Sequence, residues 1–462
     1  MLQLLSRFRH SEEGSVLPLI GLASFVLIGA MGFAIDLGRA QLVQAKLLNS
    51  ADAAALAVGA RLSTVDLNAE ANKFVTANFP AGYAQATVTS VVATADSTNT
   101  VITVVAKATV PTTLMQLLGI KKVDVSVTSQ VTRQTTGLEL ALVLDNTGSM
   151  AGDMTDLKAA ANSLVDTLYG SNNSAPNLYV GLVPFSQTVN VGTSHSSWMV
   201  ANSVSGKNWG ATSWGGCVDA QYSTNNDITD IAPTTEATRL QPFYWGDESN
   251  NDWITTSSKP YTTVKNGVYY NIYDYNTYSI GPNAYCPSAM TPMTPTKSKV
   301  VAGINAMVAR GATHVGLGAD WGWRMLSPKW RTYWGGDMNS NNLPLDYGTP
   351  KMNKAMVLMT DGENTFASTT RTAYGKLSDY GVTEDVAVAQ LDIRLTTVCT
   401  AMKNAGIIVY TIAFRDPGAN VETLLKNCAS NPDYYFDSPT STELATAFKT
   451  IGDSLSNLRV SM

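Results

Sequence analysis

The chain has 462 residues, enough for more than one domain or for one domain with large insertions. Hydrophobic residues make up 45% of it and can form a sizeable core, while charged residues make up only 15%, below the roughly 25% of typical soluble domains. A net charge of −5 excludes the basic footprint of a nucleic-acid-binding protein, and only three histidines leave little material for a histidine-rich metal centre.

An apolar helix is the first predicted element. Residues 15–35 carry no charge, and roughly 20 such residues cross a ~30 Å hydrocarbon core. The helical pattern continues through Leu37–Leu62 without proline, which favours an uncleaved anchor that extends into a stalk. A cleaved signal peptide is the alternative, because Ala30-Met31-Gly32 fits a small-x-small cleavage site.

Basic residues before the helix predict its orientation. Arg7 and Arg9 lie in the preceding segment, residues 1–14, and the positive-inside rule assigns such a segment to the cytoplasm. We therefore predict a single-pass inner-membrane protein with a cytoplasmic N-terminus. Everything after Asp36 would then lie in the periplasm or otherwise outside the cytoplasm.

Residues 36–135 are predicted to form the stalk helix and a small antiparallel sheet. A helical segment is followed by three strand-like segments, of which the last alternates valine with polar residues at period 2. The predicted elements are helix Leu67–Asn78 and strands Thr87–Thr94, Val101–Val110 and Val123–Val131. A long helix beside a small sheet is a pilin-like α+β arrangement.

The N-terminal sequence resembles a known family. The shared residues are Gly14-Ser15-Val16, the apolar helix, Ala34-Ile35-Asp36-Leu37-Gly38-Arg39 and the segment from Asn49 to Ala57. They resemble the start of TadE/TadG-like proteins of the Flp (tight adherence) pilus assembly system. The resemblance implies a role in pilus assembly at the inner membrane, with pilus-assembly or surface components as partners.

A candidate metal site begins with the loop after residue 144. Leu138–Leu144 is an apolar run too short for a helix and predicts a buried strand. The loop that follows contains Asp145, Thr147 and Ser149, which offer one carboxylate and two hydroxyls. Hard divalent cations prefer such oxygen ligands. Alternatively, Asp145 and Thr147 only cap the next helix.

Two later segments complete the predicted site. Ala355–Thr360 is a second buried-strand pattern that ends at Asp361, and Thr313 follows a glycine-marked loop at Gly311. Ligand sites of open α/β sheets lie at the carboxyl ends of the strands. We therefore predict that Asp145, Thr147, Ser149, Thr313 and Asp361 bind a divalent cation, with Mg²⁺ preferred and Mn²⁺ or Ca²⁺ possible.

This arrangement resembles the metal-ion-dependent adhesion site of von Willebrand factor A domains. Asp145-x-Thr147-x-Ser149 corresponds to their D-x-S-x-S motif with threonine at the first serine, and Thr313 and Thr360-Asp361-Gly362 follow in the family's order. The resemblance implies a doubly wound, Rossmann-like α/β domain over residues 136–462. It also implies a metal that bridges to a carboxylate of a protein partner. Both resemblances together point to TadG-like proteins.

The rest of this domain is predicted to alternate helices and strands around two insertions, at about residues 192–296 and 327–352. The predicted elements are helix Met154–Tyr169, strand Leu178–Pro184, edge strand Gln187–Val191, helix Lys297–Ala309, a helix from His314, helix Val386–Ala405, strand Ile407–Phe414, helix Val421–Asn427, strand Tyr434–Phe436 and helix Ser441–Leu458. All nine tryptophans lie between Trp198 and Trp334. They suit a recognition surface or, equally, the insertion's own small core.

Four cysteines without C-x-x-C spacing do not fit a zinc or thioredoxin motif. We predict the disulfides Cys217–Cys286 and Cys399–Cys428, and therefore an oxidising compartment. Four free buried thiols are the alternative.

Three functions are compatible with these patterns. The first is a membrane-anchored binding or assembly module that captures a protein carboxylate through its metal. The second is a structural, minor-pilin-like or envelope-spanning component whose metal only stabilises its loops. A metal-dependent hydrolase is the third, and Glu363 is its only candidate base, so we expect no enzymatic activity.

Overall fold

The structure is a computed structural model that describes residues 16–59, 66–96, 101–132, 136–210, 212–251, 253, 262–265, 268–271 and 280–460. It comprises two compact units, of which the first ends at Thr135 and the second begins at Thr136. The predicted cytoplasmic tail, residues 1–14, lies outside the described residues.

Helix α1 (Val16–Gly59) continues without a break from the apolar segment into the predicted stalk. Its large apolar side chains are exposed up to Ile35, with Leu22 at 71% and Phe25 at 65%. Pro18–Gly59 is the one candidate membrane span in the part of the chain that the structure describes. The helix thus fits a single-pass membrane anchor, because lipid can cover side chains that the protein leaves exposed.

The rest of the first unit packs on one face of α1, which becomes buried from Gly32 onwards at a spacing of three and four residues. The packed elements are helix α2 (Leu67–Asn78) and the antiparallel sheet β1 (Thr87–Ala95), β2 (Val101–Pro111) and β3 (Lys122–Thr132). In β3, Val125 and Val127 are buried and Ser126 is exposed, which confirms the predicted alternation.

The second unit contains a mixed sheet, a small hairpin and seven of the described α-helices. Its strands are β4 (Gly137–Asp145), β5 (Leu178–Phe185), β6 (Val189–Asn190), β7 (Cys217–Val218), β8 (Thr262–Lys265), β9 (Val268–Asn271), β10 (Thr291–Thr294), β11 (Met352–Thr360), β12 (Ile408–Phe414) and β13 (Tyr435–Ser438). Its helices are α3 (Met154–Tyr169), α4 (Lys297–Asn305), α5 (Val315–Leu326), α6 (Gly336–Ser340), α7 (Glu384–Asn404), α8 (Ala419–Cys428) and α9 (Ser441–Val460).

Strand β4 lies at the centre of the main sheet, whose order is β13-β12-β11-β4-β5-β6-β7. The five strands from β13 to β5 are parallel, whereas β6, β7 and β10 pair antiparallel at the β5 side. Every residue of β4 is buried, as expected for a parallel strand covered on both faces. The carboxyl ends of β4 and β11 therefore lie side by side.

Helices cover both faces of this sheet. Leu140 and Leu142 of β4 face a core formed with α3, α4 and α9, whereas Ala141 and Val143 face a core formed with α5, α7 and α8. Opposite faces alternate because successive strand side chains point to opposite sides. The predicted mixed α/β architecture with an N-terminal apolar helix is confirmed.

The tryptophans form core rather than surface. All nine are buried, and the most exposed, Trp209, is only 8% exposed. Trp198 packs against the rings of Trp321, Trp330 and Trp334, with centroids 5.1 to 6.4 Å apart. Seven of the nine belong to the core on the face of the sheet that packs with α5, α7 and α8. The tryptophans therefore enlarge that core, and no tryptophan is available for a recognition surface.

Both predicted disulfides are present. Cys217 of β7 is bonded to Cys286, and Cys399 of α7 is bonded to Cys428 at the end of α8. All four cysteines are therefore paired, and the alternative of free thiols is wrong. Each bond joins segments that are distant in sequence, by 69 and 29 residues.

We expect the Cys399→Ala/Cys428→Ala variant to lose about 2 to 4 kcal/mol of unfolding free energy, because the bond restricts the unfolded chain. Urea denaturation of the variant and the wild type, both oxidised, measures the loss. The Cys217→Ala/Cys286→Ala variant serves as a second case with a longer loop and a larger expected loss. Unchanged urea midpoints in both variants would contradict this prediction.

Candidate metal centre

Two neighbouring strand ends form the base of the predicted site. Asp145 ends β4 and Thr360 ends β11, and the two strands are paired in register up to Leu144 and Met359. Asp145 is fully buried. One of its carboxylate oxygens accepts a hydrogen bond from the Thr147 amide at 2.9 Å, and the other accepts one from the Thr360 hydroxyl at 2.6 Å.

Hydroxyl groups connect this base to the second carboxylate. The hydroxyls of Thr147 and Ser149 lie 2.9 Å apart, and Ser149 donates to Asp361 Oδ1 at 2.7 Å. Ser149 is exposed and Asp361 is half-buried. The oxygens of these side chains thus form a continuous path from the buried edge of the sheet to the surface.

The loop that contains Thr313 is tied to the same place through its backbone. The Gly148 amide donates to the Gly311 carbonyl at 2.9 Å, and the Thr313 amide donates to the Thr365 hydroxyl at 3.0 Å. Gly311 has a φ of +74°, a value that favours glycine. The structure therefore brings together all three predicted loops, with Thr313 itself buried.

Helix α4 ends four residues earlier than predicted, at Asn305 instead of Ala309. The reason lies in the site. The side-chain amide of Asn146 donates to the Val308 carbonyl at 2.6 Å, and the Arg310 amide donates to the Asn146 carbonyl at 2.7 Å. These bonds hold residues 306–313 as an irregular segment along the site, and this interrupts the helix.

Burial and the proximity of like charges raise the pKa values of the two carboxyl groups at the site. Burial, followed by the negative charge of Asp361, raises the pKa of Asp145 to about 7. Burial also raises the pKa of Asp361, although the hydrogen bond from Ser149 acts in the opposite direction. Two neighbouring carboxyl groups that both resist ionisation indicate a position that a cation would stabilise.

The donor set fits a hard cation. Two carboxylates and three hydroxyls supply only oxygen, which Mg²⁺, Mn²⁺ and Ca²⁺ accept. Among the described residues there is no group of three or more His, Cys, Asp or Glu side chains that could hold a metal.

Several supporting residues were not predicted. Gln187, just after β5, accepts a hydrogen bond from the Ala312 amide at 2.9 Å and donates to the Arg371 carbonyl at 2.6 Å. At the rim, Arg415 forms an ion pair with Asp153. The burial of a polar residue such as Gln187 depends on the packing of distant segments, and no sequence pattern signals it.

The chain is similar to one protein family by sequence and to several solved structures by fold. Residues 14–61 match the family model described as putative Flp pilus-assembly TadE/G-like. The N-terminal segment of this chain is therefore TadE/G-like. No curated protein matches the chain.

Among solved structures, the von Willebrand factor domain of the type V pili tip protein Mfa5 from Porphyromonas gingivalis is 11% identical, with a TM-score of 0.36; the match covers 71% of this chain and 97% of that one. The pilus adhesin RrgA from Streptococcus pneumoniae is 11% identical, with a TM-score of 0.36 and coverages of 76% and 47%. Proximal thread matrix protein 1 from the mussel byssus, with a zinc-occupied MIDAS motif, is 16% identical, with a TM-score of 0.33 and coverages of 70% and 49%. The chain thus spans about half the length of the mussel protein.

His314, next to Thr313, should make the stability of the protein depend on pH. It is fully buried near the rings of Phe366 and Tyr374, and burial lowers its pKa to about 3. The unfolded histidine titrates near 6.5, so below that pH only the unfolded state gains a proton. We expect unfolding free energy to fall between pH 6.5 and 3, by about 2 kcal/mol at pH 5 relative to pH 7.

The His314→Phe variant should lose this contribution, because phenylalanine does not titrate. Urea denaturation at pH 7 and pH 5 of the wild type and the variant measures the difference. The Phe366→Leu variant, which alters the same packing without removing a titrating group, should keep the wild-type pH dependence. An equal loss of stability at pH 5 in the wild type and the His314→Phe variant would refute the assignment.

Proposed function

We propose that this chain is a membrane-anchored, extracytoplasmic binding and assembly protein of a Flp/Tad-type pilus system. In this proposal its second unit is a doubly wound von Willebrand factor A-type domain with insertions at about residues 192–296 and 327–352. A divalent cation, Mg²⁺ in the first place, binds to Asp145, Thr147, Ser149, Thr313 and Asp361. The site captures a carboxylate of a partner protein.

The observation that carries the proposal is the convergence of three loops that are distant in sequence. Asp145 and Asp361, more than two hundred residues apart, lie at one sheet edge and are linked through the hydroxyls of Thr147, Ser149 and Thr360. If Asp145 and Thr147 served only to cap a helix, Asp361 would have no reason to join them. Thr147 precedes the 3-10 helix Gly148–Gly152 but makes no side-chain cap hydrogen bond to it, which speaks against that alternative.

The chemistry of the donor set supports capture of an anion. Asp145 and Asp361 supply two negative charges, which match a divalent ion, and the three hydroxyls are neutral. The cation, when bound, would supply the positive charge that attracts a carboxylate of the partner. Ser149 is exposed at the outer end of the site, so a partner can reach it.

The rim of the site favours the same class of ligand. The Arg415 side chain is 55% exposed while it pairs with Asp153, and its guanidinium acts electrostatically on Asp361. A cationic, exposed group beside the proposed ion offers a second contact for a partner's carboxylate. The surrounding loops would then provide specificity.

The anchor and the compartment are supported independently. The TadE/G-like segment includes helix α1, whose exposed apolar face fits a membrane span. The two disulfides favour an oxidising compartment for the second unit, and Arg7 and Arg9 favour a cytoplasmic N-terminus. The long helix with its small sheet is consistent with a pilin-like first unit.

The structural alternative also has an observation in its favour. The Ser149–Asp361 and Thr360–Asp145 hydrogen bonds join the loops directly, so a metal could serve only to stabilise them. The hydrolase interpretation is weaker. Its only candidate base, Glu363, lies beside Gly418, and we propose no enzymatic role for the chain.

Metal binding can be tested by thermal unfolding of the full chain in detergent, with EDTA or with Mg²⁺. If Mg²⁺ binds the folded site, a hundredfold excess over the Kd stabilises it by about 2.7 kcal/mol and raises the Tm. The Asp145→Asn variant keeps the shape of the side chain but removes its charge, and it should lose most of the Mg²⁺-dependent shift.

Asp219→Asn is the matched control. Asp219 is another carboxyl group, half-buried, whose pKa burial raises to about 7, but it pairs with Arg371. This variant should keep the full Mg²⁺-dependent shift. If Asp145→Asn also keeps it, the proposed metal site is wrong.

Partner capture separates the binding function from the structural one. The immobilised full chain, cross-linked in envelope extract, should retain a specific partner in Mg²⁺ and release it in EDTA. We expect Asp145→Asn and Ser149→Ala to retain at least tenfold less partner, because each removes a proposed ligand of the cation. If both variants bind as the wild type does while the Mg²⁺ stabilisation is lost, the metal has only a structural role.

A further inference from the structure

An apolar tip projects from the first unit at the turn between β2 and β3. Leu117, Leu118 and Ile120 are 74%, 53% and 46% exposed, and all three lie within residues 112–121, here called the β2–β3 loop. A short 3-10 helix, Met115–Leu118, shapes the loop, and Gly119 with φ +88° ends that helix. Three large apolar side chains on one short loop require a partner that shields them from water.

The β2–β3 loop is held firmly against helix α1 by one carboxylate. Asp36 accepts hydrogen bonds from the amides of Thr113, Leu114 and Met115 at 2.8 to 3.1 Å. Arg39, one turn further, donates to the Thr113 hydroxyl at 2.6 Å. The loop therefore has a defined height along the helix axis, and that height is set by Asp36.

At this position along α1 the apolar segment ends. The uncharged run of α1 ends at Ile35, immediately before Asp36; beyond it the exposed apolar side chains are scattered leucines, at positions 37, 42, 48 and 56, among charged and polar residues. Leu114 reaches one turn further back, because a Cβ added at Gly32 would lie 2.5 Å from Leu114 Cβ. The base of the loop thus packs against the last turn of the apolar segment.

The sheet extends from this point in the opposite direction. Val131, near the far end of β3, packs against Gly59, the last residue of α1. At 1.5 Å per residue, Gly59 is about 35 Å along the helix from Asp36. The end of the sheet with the apolar tip therefore lies next to the apolar segment, and the other end lies far from it.

We propose that the β2–β3 loop inserts Leu117, Leu118 and Ile120 into the headgroup and upper acyl region of the same bilayer that α1 spans. This inference rests on the membrane anchoring in the proposed function. Lys121 follows the apolar residues and is exposed, so it can bind lipid phosphates. An apolar tip flanked by a basic residue is typical of interfacial membrane contacts. The loop gives the first unit a second attachment that restricts tilting and rotation of the sheet at the membrane surface.

The test places a single environment-sensitive fluorophore on the full chain in lipid nanodiscs. The described cysteines are all disulfide-bonded, so a new cysteine is labelled selectively without reduction. The three labelled variants are Leu117→Cys at the tip, Thr128→Cys on the exposed side of β3, and Ser24→Cys within the apolar segment. Each is exposed in the protein, so labelling does not disturb the core. Quenching is measured with a lipid that carries a nitroxide near its headgroup, with a deep acyl-chain nitroxide, and with aqueous iodide.

We expect the Leu117→Cys probe to be quenched by the shallow nitroxide at least threefold more strongly than the Thr128→Cys probe, and to be protected from iodide. The Ser24→Cys probe should respond to the deep nitroxide. If Ser24→Cys does so while Leu117→Cys responds only to iodide, the anchor stands and the loop insertion is refuted. Shielding of Leu117→Cys from both lipid nitroxides and iodide also refutes it, since a protein then covers the tip. If Ser24→Cys responds to iodide and not to lipid, both the anchor and the insertion are refuted.

Discussion

The fully buried carboxyl group of Asp145, at the end of the central strand β4, constrains the loops at the carboxyl ends of β4 and β11. Burial of Asp145 disfavours its charge, and the nearby Asp361 disfavours it further, so its pKa rises to about 7. The protein compensates with the Thr147 amide and the Thr360 hydroxyl, which require a tight loop after β4 and a paired β11. The loop at residues 311–313 joins these two through the hydrogen bonds of Gly148 with Gly311 and of Thr313 with Thr365.

The first unit uses a carboxylate in a contrasting way. Asp36 is also buried, but three backbone amides and Arg39 surround it. Its charge is therefore satisfied by the chain itself, and it serves to hold the β2–β3 loop against the helix. At Asp145 the compensation is incomplete, and a second carboxyl group lies close by. This difference distinguishes a carboxylate that organises the fold from one that suits a bound cation.

The buried tryptophans stabilise the second unit and leave recognition to other side chains. Trp198, Trp321, Trp330 and Trp334 form a buried cluster on the face of the sheet that carries α5 and α7. The Cys217–Cys286 bond joins the edge strand β7 to the segment before β10. Such a rigid scaffold can support exposed loops without contributing its own side chains to binding. The exposed polar groups near Ser149 and Arg415 are thus better placed for partner contact than any tryptophan.

The local periodicity of apolar residues was enough to predict most of the secondary structure. Helix α3 was predicted to the residue, the strands β2, β3, β4, β5 and β12 were found within one residue at each end, and β11 begins three residues before its predicted start, because apolar spacing and flanking turn residues are properties of short segments. The disulfide pairing was also correct, although spacing alone leaves several pairings open. The short strands β7, β8, β9 and β10 were missed, because two to four residues carry no period.

The sequence by itself determined which residues could serve as oxygen ligands, and in which order along the chain they occur. Only the tertiary structure decided that they meet. The meeting of Asp145 and Asp361 depends on the parallel register of β4 with β11, and that of the Thr313 loop depends on backbone bonds to Gly148, Asn146 and Thr365. The supporting role of Gln187 and the early end of α4 also result from hydrogen bonds between segments distant in sequence. Long-range hydrogen bonds between segments leave no trace in local composition, because each partner satisfies its need only once the fold has formed.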